Sequence, residues 1–314
     1  DGRTLLVGPW YHSGQLFFSL FPLLRGSSLL VRRGFDAAEL VELIDRERVT
    51  HTHLVPIHFI RLLRLPDAAR AALRGDTLRV VWHGAAACPV DVKRAMIDWW
   101  GPAFTEYYAA TEGGIATVID SAQWLEHPGS VGRSQPPTEI VIVGPDGETL
   151  PPHTDGMIYL RRPPERGFKY HNAPEKTRTA YLDDRTFTYG DIGHLDADGY
   201  LYLTGRATDM VITGGVNVYP AEVESVLLSH PAVRDAAVFG VPDPEYGERV
   251  TAAVVVGPDA GEDIAEVLDR HCRTQLAGFK VPRRYKLVAD LPRDPSGKLR
   301  KHLLTDEHAP APVG

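Results

Sequence analysis

Residues 204–224, TGRATDMVITGGVNVYPAEVE, decide how the rest of the chain is read. They set Arg206, Asp209, the glycine pair Gly214-Gly215 and two glutamates at a junction between two textures of sequence. Upstream lie YYAATEGG (107–114) and FTYGDIG (187–193). Downstream lies LPRDPSGKLRKHLL (291–304), with Lys298 on a glycine-marked turn. All four segments are rich in groups that bind phosphate and ribose, and together they argue for one nucleotide-handling site.

Working outward, 314 residues suggest two domains, since single cores seldom grow beyond about 250–300 residues. A formal charge of −7 and a pI near 6.0 argue against a nucleic-acid or anionic-membrane surface. Cys88 and Cys272 have neither metal nor redox spacing, which fits a reducing cytoplasm. The longest apolar stretch, 16–24, is interrupted by Ser19 and Pro22 and falls short of the roughly 20 residues of a membrane span. The opening Asp1-Gly2-Arg3-Thr4 has no Met and no signal-peptide character, and leads straight into an apolar strand. It reads as a chain that begins inside a domain.

From Thr4 to Trp82 short apolar runs alternate with helical periodicity. Strands are expected at 5–7, 28–31, 53–55 and 78–82, and helices at 37–47 and 89–99, with Pro89 suited to a first turn. This alternation indicates an α/β layer with parallel pairing. From Glu139 the expected strands (139–143, 156–160, 187–188, 200–203) follow one another without helices, with turns at 145–147 and 197–199. Beyond Arg206 come a helix at 219–230, strands at 236–239 and 250–256, a helix at 262–276 and a strand at 285–288. Together they make an α+β domain of about 100 residues. The tail from Asp306, ending APAPVG, is expected to be disordered.

In YYAATEGG a strand-to-loop position is expected. A tyrosine offers a flat face to a purine, Thr111 a hydroxyl to a phosphate, and Glu112 an oxygen to Mg²⁺. The plainer reading is a strand end with a solvated glutamate. In FTYGDIG, Asp191 lies between Gly190 and Gly193, where the backbone can approach a ligand and a carboxylate can accept from two ribose hydroxyls. A turn aspartate is the bland alternative. Arg206 can add a charge-assisted contact to ribose or phosphate. Gly214-Gly215 can turn backbone amides toward an anion ahead of a helix, or make only a tight turn. Lys298 can swing in to neutralise developing phosphate charge, or be merely solvated. Of the thirteen histidines, His12 in PWYHSG and His83 beside GAAACP are adjacent to the candidate site; His58 and His194 have no ligand-like spacing to them. The tryptophans Trp82, Trp99 and Trp100 read as core. Neither a zinc site nor a Ser-His-Asp arrangement can be argued.

Taken together, these segments resemble the adenylate-forming superfamily: acyl- and aryl-CoA synthetases, firefly luciferase and peptide-synthetase adenylation domains. The match runs over nearly the whole chain in order and spacing, and the ending LPRDPSGKLRKHLL looks like the fatty-acyl-CoA ligase branch. The resemblance implies the fold: residues 1–205 as the carboxyl-terminal part of a large domain (parallel sheet plus distorted β-barrel), and 206–314 as a small mobile α+β domain hinged near Asp209. It implies ATP, Mg²⁺ and coenzyme A, and a small carboxylic acid as the remaining substrate. Tyr108 is expected to stack on adenine, Thr111 to contact the α-phosphate, and Glu112 to hold Mg²⁺. Asp191 is expected to grip the ribose with Arg206 nearby, Gly214 and Gly215 to border the pantetheine tunnel, and Lys298 to bridge carboxylate and α-phosphate. His12, His83, Gly84, Ala85 and Tyr107 are expected around the acyl or adenine pocket. The small residues Gly84, Ala85, Ala86, Gly113 and Gly114 hint at room for a medium or long acyl chain. Three departures stand out: no Ser/Thr/Gly-rich phosphate loop ending in Pro-Lys-Gly, Ala109 where the family carries Gly, and Tyr189 where it carries Thr. Two other outcomes stay open: an adenylating enzyme that loads a carrier protein, and a non-catalytic fragment lacking its phosphate loop.

Overall fold

The computed structural model describes residues 2–294 and 298–306. Pro295–Gly297 of the PSGK turn and residues 307–314 of the tail lie outside the described residues. The chain divides into two compact units, the first running to Tyr189 and including Gly193–Leu203, the second formed by Gly190–Ile192, Thr204–Asp294 and the segment from Lys298.

The first unit opens with β1 (Arg3–Leu6), α1 (Ser13–Leu24), β2 (Ser28–Val31), α2 (Ala37–Arg46), β3 (His51–Leu54), α3 (Pro56–Leu63), α4 (Asp67–Ala72), β4 (Val80–His83), α5 (Val90–Trp100) and β5 (Phe104–Ala110). It continues through β6 (Gly114–Asp120), α6 (Ser121–Glu126) and β7 (Arg133–Ser134). The sheet order is β2-β1-β3-β4-β5-β6-β7, parallel as far as β5 and antiparallel beyond it. Strand residues alternate between its two faces. Leu5, Leu54, Val81 and Phe104 pack with Leu40 and Ile44 of α2, Phe59 of α3 and Met96 of α5. The intervening His53, Trp82 and Tyr107 meet Phe18 of α1 instead. This is what right-handed crossovers require, because β1 connects to β2 in one direction and every later parallel strand is added in the other.

Helix α1 is the element the sequence reading passed over. Its apolar run, too short for a membrane span, forms three turns of helix with Pro22 near the carboxyl end. No helix among the described residues is long and apolar enough to cross a membrane. Pro89 proves to be the cap residue of α5 and not part of its first turn.

The β-rich part comprises β8 (Glu139–Val143), β9 (Gly156–Arg161), β10 (Thr186–Leu195) and β11 (Leu201–Arg206), in the order β11-β10-β9-β8. A bridge between Gly132 and Leu201 joins it to the β7 end of the large sheet. Tyr108, Ala116, Ile140, Ile158, Phe187 and Leu201 then share one core, giving the distorted barrel. Gly132 (φ 98°) is obligatory here, since a Cβ would lie 2.2 Å from the Val118 carbonyl oxygen. The expectation that no helix interrupts this part is corrected. A 3₁₀ turn (Pro164–Arg166) and α7 (Pro174–Thr179) occupy the β9–β10 connection, each started by a proline whose fixed φ suits a first turn.

The second unit contains β12 (Val211–Thr213), β13 (Val216–Val218), α8 (Pro220–Ser229), β14 (Val233–Asp243), β15 (Gly247–Val256), α9 (Ile264–Gln275), β16 (Arg284–Leu287) and α10 (His302–Asp306). The order is β13-β12-β15-β14, with β16 parallel to β15. Val223 and Leu227 of α8 and Leu268 and Cys272 of α9 fill its core against Val238, Val250 and Val254. Strands β14 and β15 form an 11- and 10-residue hairpin, much longer than expected at 236–239.

Candidate functional site

In the parallel part of the large sheet, the strand order reverses between β1 and β3. Ligands of open α/β sheets bind outside the carboxyl ends of the strands at such a switch. His12 lies there as the half-buried cap residue of α1. Next to it is a buried polar chain. Gln15 Nε2 is 2.9 Å from His53 Nδ1, and His53 Nε2 is 2.7 Å from the Tyr107 hydroxyl. Burial, with His12 adding to it, lowers the His53 pKa from 6.5 to about 3. Burial also raises that of Tyr107. Gly84 presses directly on Tyr107: a Cβ there would lie 2.6 Å from its carbonyl oxygen and 3.0 Å from its ring. Ala85 follows in the left-handed region, φ 68°, and is exposed.

His83 does not join this group. Tyr107 and Glu106 are neighbours on β5 and face opposite sides, and His83 goes with Glu106. It is fully buried beside the ion pair of Lys93 Nζ and Glu106 Oε2 (2.5 Å), with its Nε2 3.8 Å from the same carboxylate oxygen. Burial holds His83 well below the usual imidazole range, and Lys93 adds to the effect. Burial likewise lowers Lys93 and raises Glu106, each opposed by the attraction of the other.

The β5–β6 turn carries the next group. Tyr108 is buried in the barrel core, edge-on to Tyr189 at 6.1 Å. Thr111 and Glu112 stand exposed on the turn, and the Tyr170 hydroxyl donates to Glu112 Oε1 at 3.0 Å. Arg162, which the sequence reading missed, clamps this turn. It donates to the carbonyl oxygens of Gly113 and Ile115 and, at 2.9 Å, to Thr138 Oγ1. A Cβ on Gly113 would strike the Tyr189 hydroxyl. Burial raises the Tyr189 pKa to about 12, with Arg162 opposing. The space that the small residues Gly84 and Gly113 were expected to leave is therefore taken by Tyr107 and Tyr189. Glu112 is a hard oxygen donor in an exposed position, which fits one ligand of Mg²⁺.

Within the second unit, Asp191 is buried and accepts from Arg206 Nε at 3.1 Å. By its contacts Asp191 groups with this unit, although it precedes residue 205. Asp209 ends the short 3₁₀ turn Ala207–Asp209. Gly214 and Gly215, at φ 58° and 79°, are the two-residue turn between β12 and β13, exposed at its tip. They therefore do not start a helix; α8 begins only at Pro220. Lys298 is exposed; Leu299 beside it bridges to Arg293, and the Lys298 amide donates to Asp294 Oδ1 at 3.0 Å. A two-pronged ion pair of Arg293 with Asp235 (3.0 and 2.8 Å) anchors this segment to β14. Neither Arg293 nor Asp235 stood out in the sequence.

Two other features lie apart from these residues. Asp196, His127 and Asp198 hold ligand-type atoms within 4.8 Å of one another, but Asp196 already accepts from the amides of Asp198 and Tyr200 and caps the β10–β11 turn. A depression of about 620 Å³ beside α7, lined by Pro164, Phe168, Arg178 and Tyr181 among others, includes none of the predicted residues.

The family model for AMP-binding enzymes matches residues 1–165, and that for the AMP-binding enzyme C-terminal domain matches 222–298. Feruloyl-CoA synthase of Amycolatopsis sp is 36% identical over 304 residues, covering 96% of this chain and 60% of the relative. Long-chain-fatty-acid–CoA ligase FadD13 of Mycobacterium tuberculosis is 35% identical over 311 residues, covering 98% and 60%. ATP-bound MatB from Rhodopseudomonas palustris superposes with a TM-score of 0.85 at 34% identity, covering 98% of this chain and 60% of that one. The amide bond synthetase McbA from Marinactinospora thermotolerans gives 0.85 at 33%, covering 98% and 62%. The chain thus spans about 60% of the length of the curated relatives it matches. On the strength of the family match over more than half its residues, the chain belongs to the AMP-binding enzyme family.

Proposed function

We propose that this chain serves the ATP-dependent activation of a carboxylic acid and its transfer to coenzyme A. In the first step a carboxylate oxygen attacks the α-phosphorus of ATP. The bond to the bridging oxygen breaks, and pyrophosphate leaves behind an acyl-adenylate. In the second step the CoA sulfur attacks the acyl carbonyl carbon, the thiol proton is lost, and AMP departs. Both reactants of the first step are anionic, so charge neutralisation governs the approach. Lys298, beside the anchored Arg293–Leu299 bridge, supplies a positive charge to the α-phosphate and the carboxylate. Thr111 donates to the α-phosphate from the turn that Arg162 fixes. Mg²⁺, when bound through Glu112, would neutralise phosphate charge.

Asp191 accepts from the ribose hydroxyls while Arg206 holds its carboxylate in place, and Tyr108 lines the adenine. His12, Gly84, Ala85 and Tyr107 flank the acid at the carboxyl ends of the parallel strands. Asp209 is the pivot of a swing that withdraws Lys298 and brings the Gly214-Gly215 hairpin to the pantetheine arm. The observation that carries this reading is a buried acceptor, Asp191, held by Arg206, in a chain that also exposes Lys298 with its backbone amide fixed by Asp294. CoA ligases for different acids, including sulfoacetate and indoleacetate, occur among the relatives, so the family leaves the acid open.

Acid-dependent exchange of labelled pyrophosphate into ATP, followed by thioester detection, tests the reading. Lys298→Ala is expected to slow exchange by roughly 10²–10³-fold, comparable to losing one transition-state donor, and largely to spare thioester formation from supplied acyl-adenylate. Equal loss of both half-reactions would refute the role given to Lys298. Exchange without a thioester would move the acceptor from CoA to another nucleophile.

A further inference from the structure

Among the described residues the buried charges are matched, with one exception. Lys93 meets Glu106 at 2.5 Å, Asp191 meets Arg206 at 3.1 Å, and Asp235 meets Arg293 at 2.8 Å. Asp196 contacts His127 at 3.0 Å and accepts from two backbone amides. Arg162 is 6% exposed, and its partners are neutral: the carbonyl oxygens of Gly113 and Ile115 and the Thr138 hydroxyl oxygen. Its Cζ lies 5.7 Å from the centroid of the Phe187 ring. Tyr189, whose hydroxyl also crowds Gly113, is no counterion, because burial raises its pKa to about 12 and keeps it neutral. Glu112, the acid on the same turn, is exposed and accepts from Tyr170 instead. A guanidinium does not lose its proton, and burying a charge that nothing of opposite sign cancels is costly. Hydrogen bonds to carbonyls reduce that cost and leave the positive field in place.

We propose that Arg162 is a specificity-determining residue whose uncancelled charge makes the Thr111–Glu112 turn prefer phosphate-bearing nucleotides over the bare nucleoside. The inference rests on the nucleotide reading of this turn given above and adds the source of the attraction. The guanidinium is bound to the backbone of the turn itself, at Gly113 next to Glu112, and to Ile115 on β6. An anion held by the exposed Thr111 hydroxyl therefore lies within range of a positive charge set in the barrel core, where water screens it less than at the surface. Arg162 does not touch the nucleotide. It acts through space, and the phosphates complete a charge balance that the protein leaves open. Thr138 fixes the guanidinium by accepting from its Nε at 2.9 Å. Lysine would carry the same charge without the fork that reaches both carbonyls, so charge and geometry can be separated by substitution.

The test is calorimetric titration of the chain with adenosine, AMP and ADP, with divalent metal chelated, in the native form and as Arg162→Met, Arg162→Gln and Arg162→Lys. The native chain is expected to bind AMP and ADP more tightly than adenosine. Arg162→Met is expected to weaken AMP roughly threefold and ADP roughly tenfold while leaving adenosine within about twofold, because the lost attraction grows with the charge of the ligand. Arg162→Gln, neutral but still able to donate to a turn carbonyl, is expected to behave like Arg162→Met and serves in its place if the methionine variant does not fold. Arg162→Lys is expected to keep most of the preference, and circular dichroism with a thermal melt checks that each variant is folded. Equal weakening of all three ligands, a phosphate preference undiminished in the neutral variants, or a lysine variant as weak as the neutral ones would overturn the assignment while leaving the nucleotide reading intact. A native chain that binds AMP no more tightly than adenosine would instead remove the phosphate role of the turn itself.

Discussion

The two faces of β4 and β5 solve the burial of polar groups in opposite ways. On the α5 face, Lys93 and Glu106 bury full charges and cancel them in a direct ion pair, with a neutral His83 beside them. On the α1 face, His53, Tyr107 and Gln15 bury neutral groups joined by hydrogen bonds, and one amide atom is left unmatched. Glu106 and Tyr107 are adjacent in sequence and differ only in the side of the pleat they occupy. The ion pair is closed and structural. The neutral chain ends at the strand termini beside His12 and cancels no charge.

The contrast can be broken most forcefully at Glu106. Glu106→Ala leaves Lys93 charged and buried without a partner, and is expected to cost about 3–5 kcal/mol in urea unfolding. Tyr107→Phe on the other face removes one neutral hydrogen bond and is expected to cost about 1 kcal/mol. Similar losses would mean that the two faces are energetically alike.

Both faces respond to acid through their buried histidines. The folded-state pKa of His53 lies near 3 against 6.5 in the unfolded chain, so the unfolded chain binds the extra proton between those values. The stability this group contributes is therefore complete above pH 6.5 and lost as pH falls toward 3, at up to about 1.4 kcal/mol per pH unit. His58, also lowered to about 3 by burial, and His83 add to the same slope. His53→Gln is expected to reduce the slope between pH 6.5 and 4.5 by about one proton, measured by urea midpoints at several pH values. An unchanged slope would mean that His53 is already protonated in the fold.

Much of this architecture is legible in residue order. Strands β2 and β8 end where their apolar runs end, and α2 shows its Leu40, Val41 and Ile44 face. The family match supports the recognition drawn from residues 204–224 and 291–304. What escaped the sequence had physical causes. Helix α1 is apolar on its exposed side as well, with Phe17, Phe21 and Leu24 outward, so no polar face marks its period. The β12–β13 hairpin is too short for alternation to declare itself, and only its two positive-φ glycines betray it. Gln15, His53 and Arg162 matter through partners 38 to 54 residues away, which no local motif records. Their nearest sequence signal is a polar residue at a strand or helix position facing the core. Asp235 and Arg293, 58 residues apart, were invisible for the same reason.

The most direct test of the central claim is calorimetric titration of the chain with AMP and with an acyl-adenylate mimic, in the native form and as Asp191→Ala. The account predicts that the mimic binds more tightly than AMP and that Asp191→Ala weakens both by tenfold or more, since a buried acceptor for the ribose hydroxyls is lost. Absence of binding, or affinities that ignore the loss of Asp191, would contradict it.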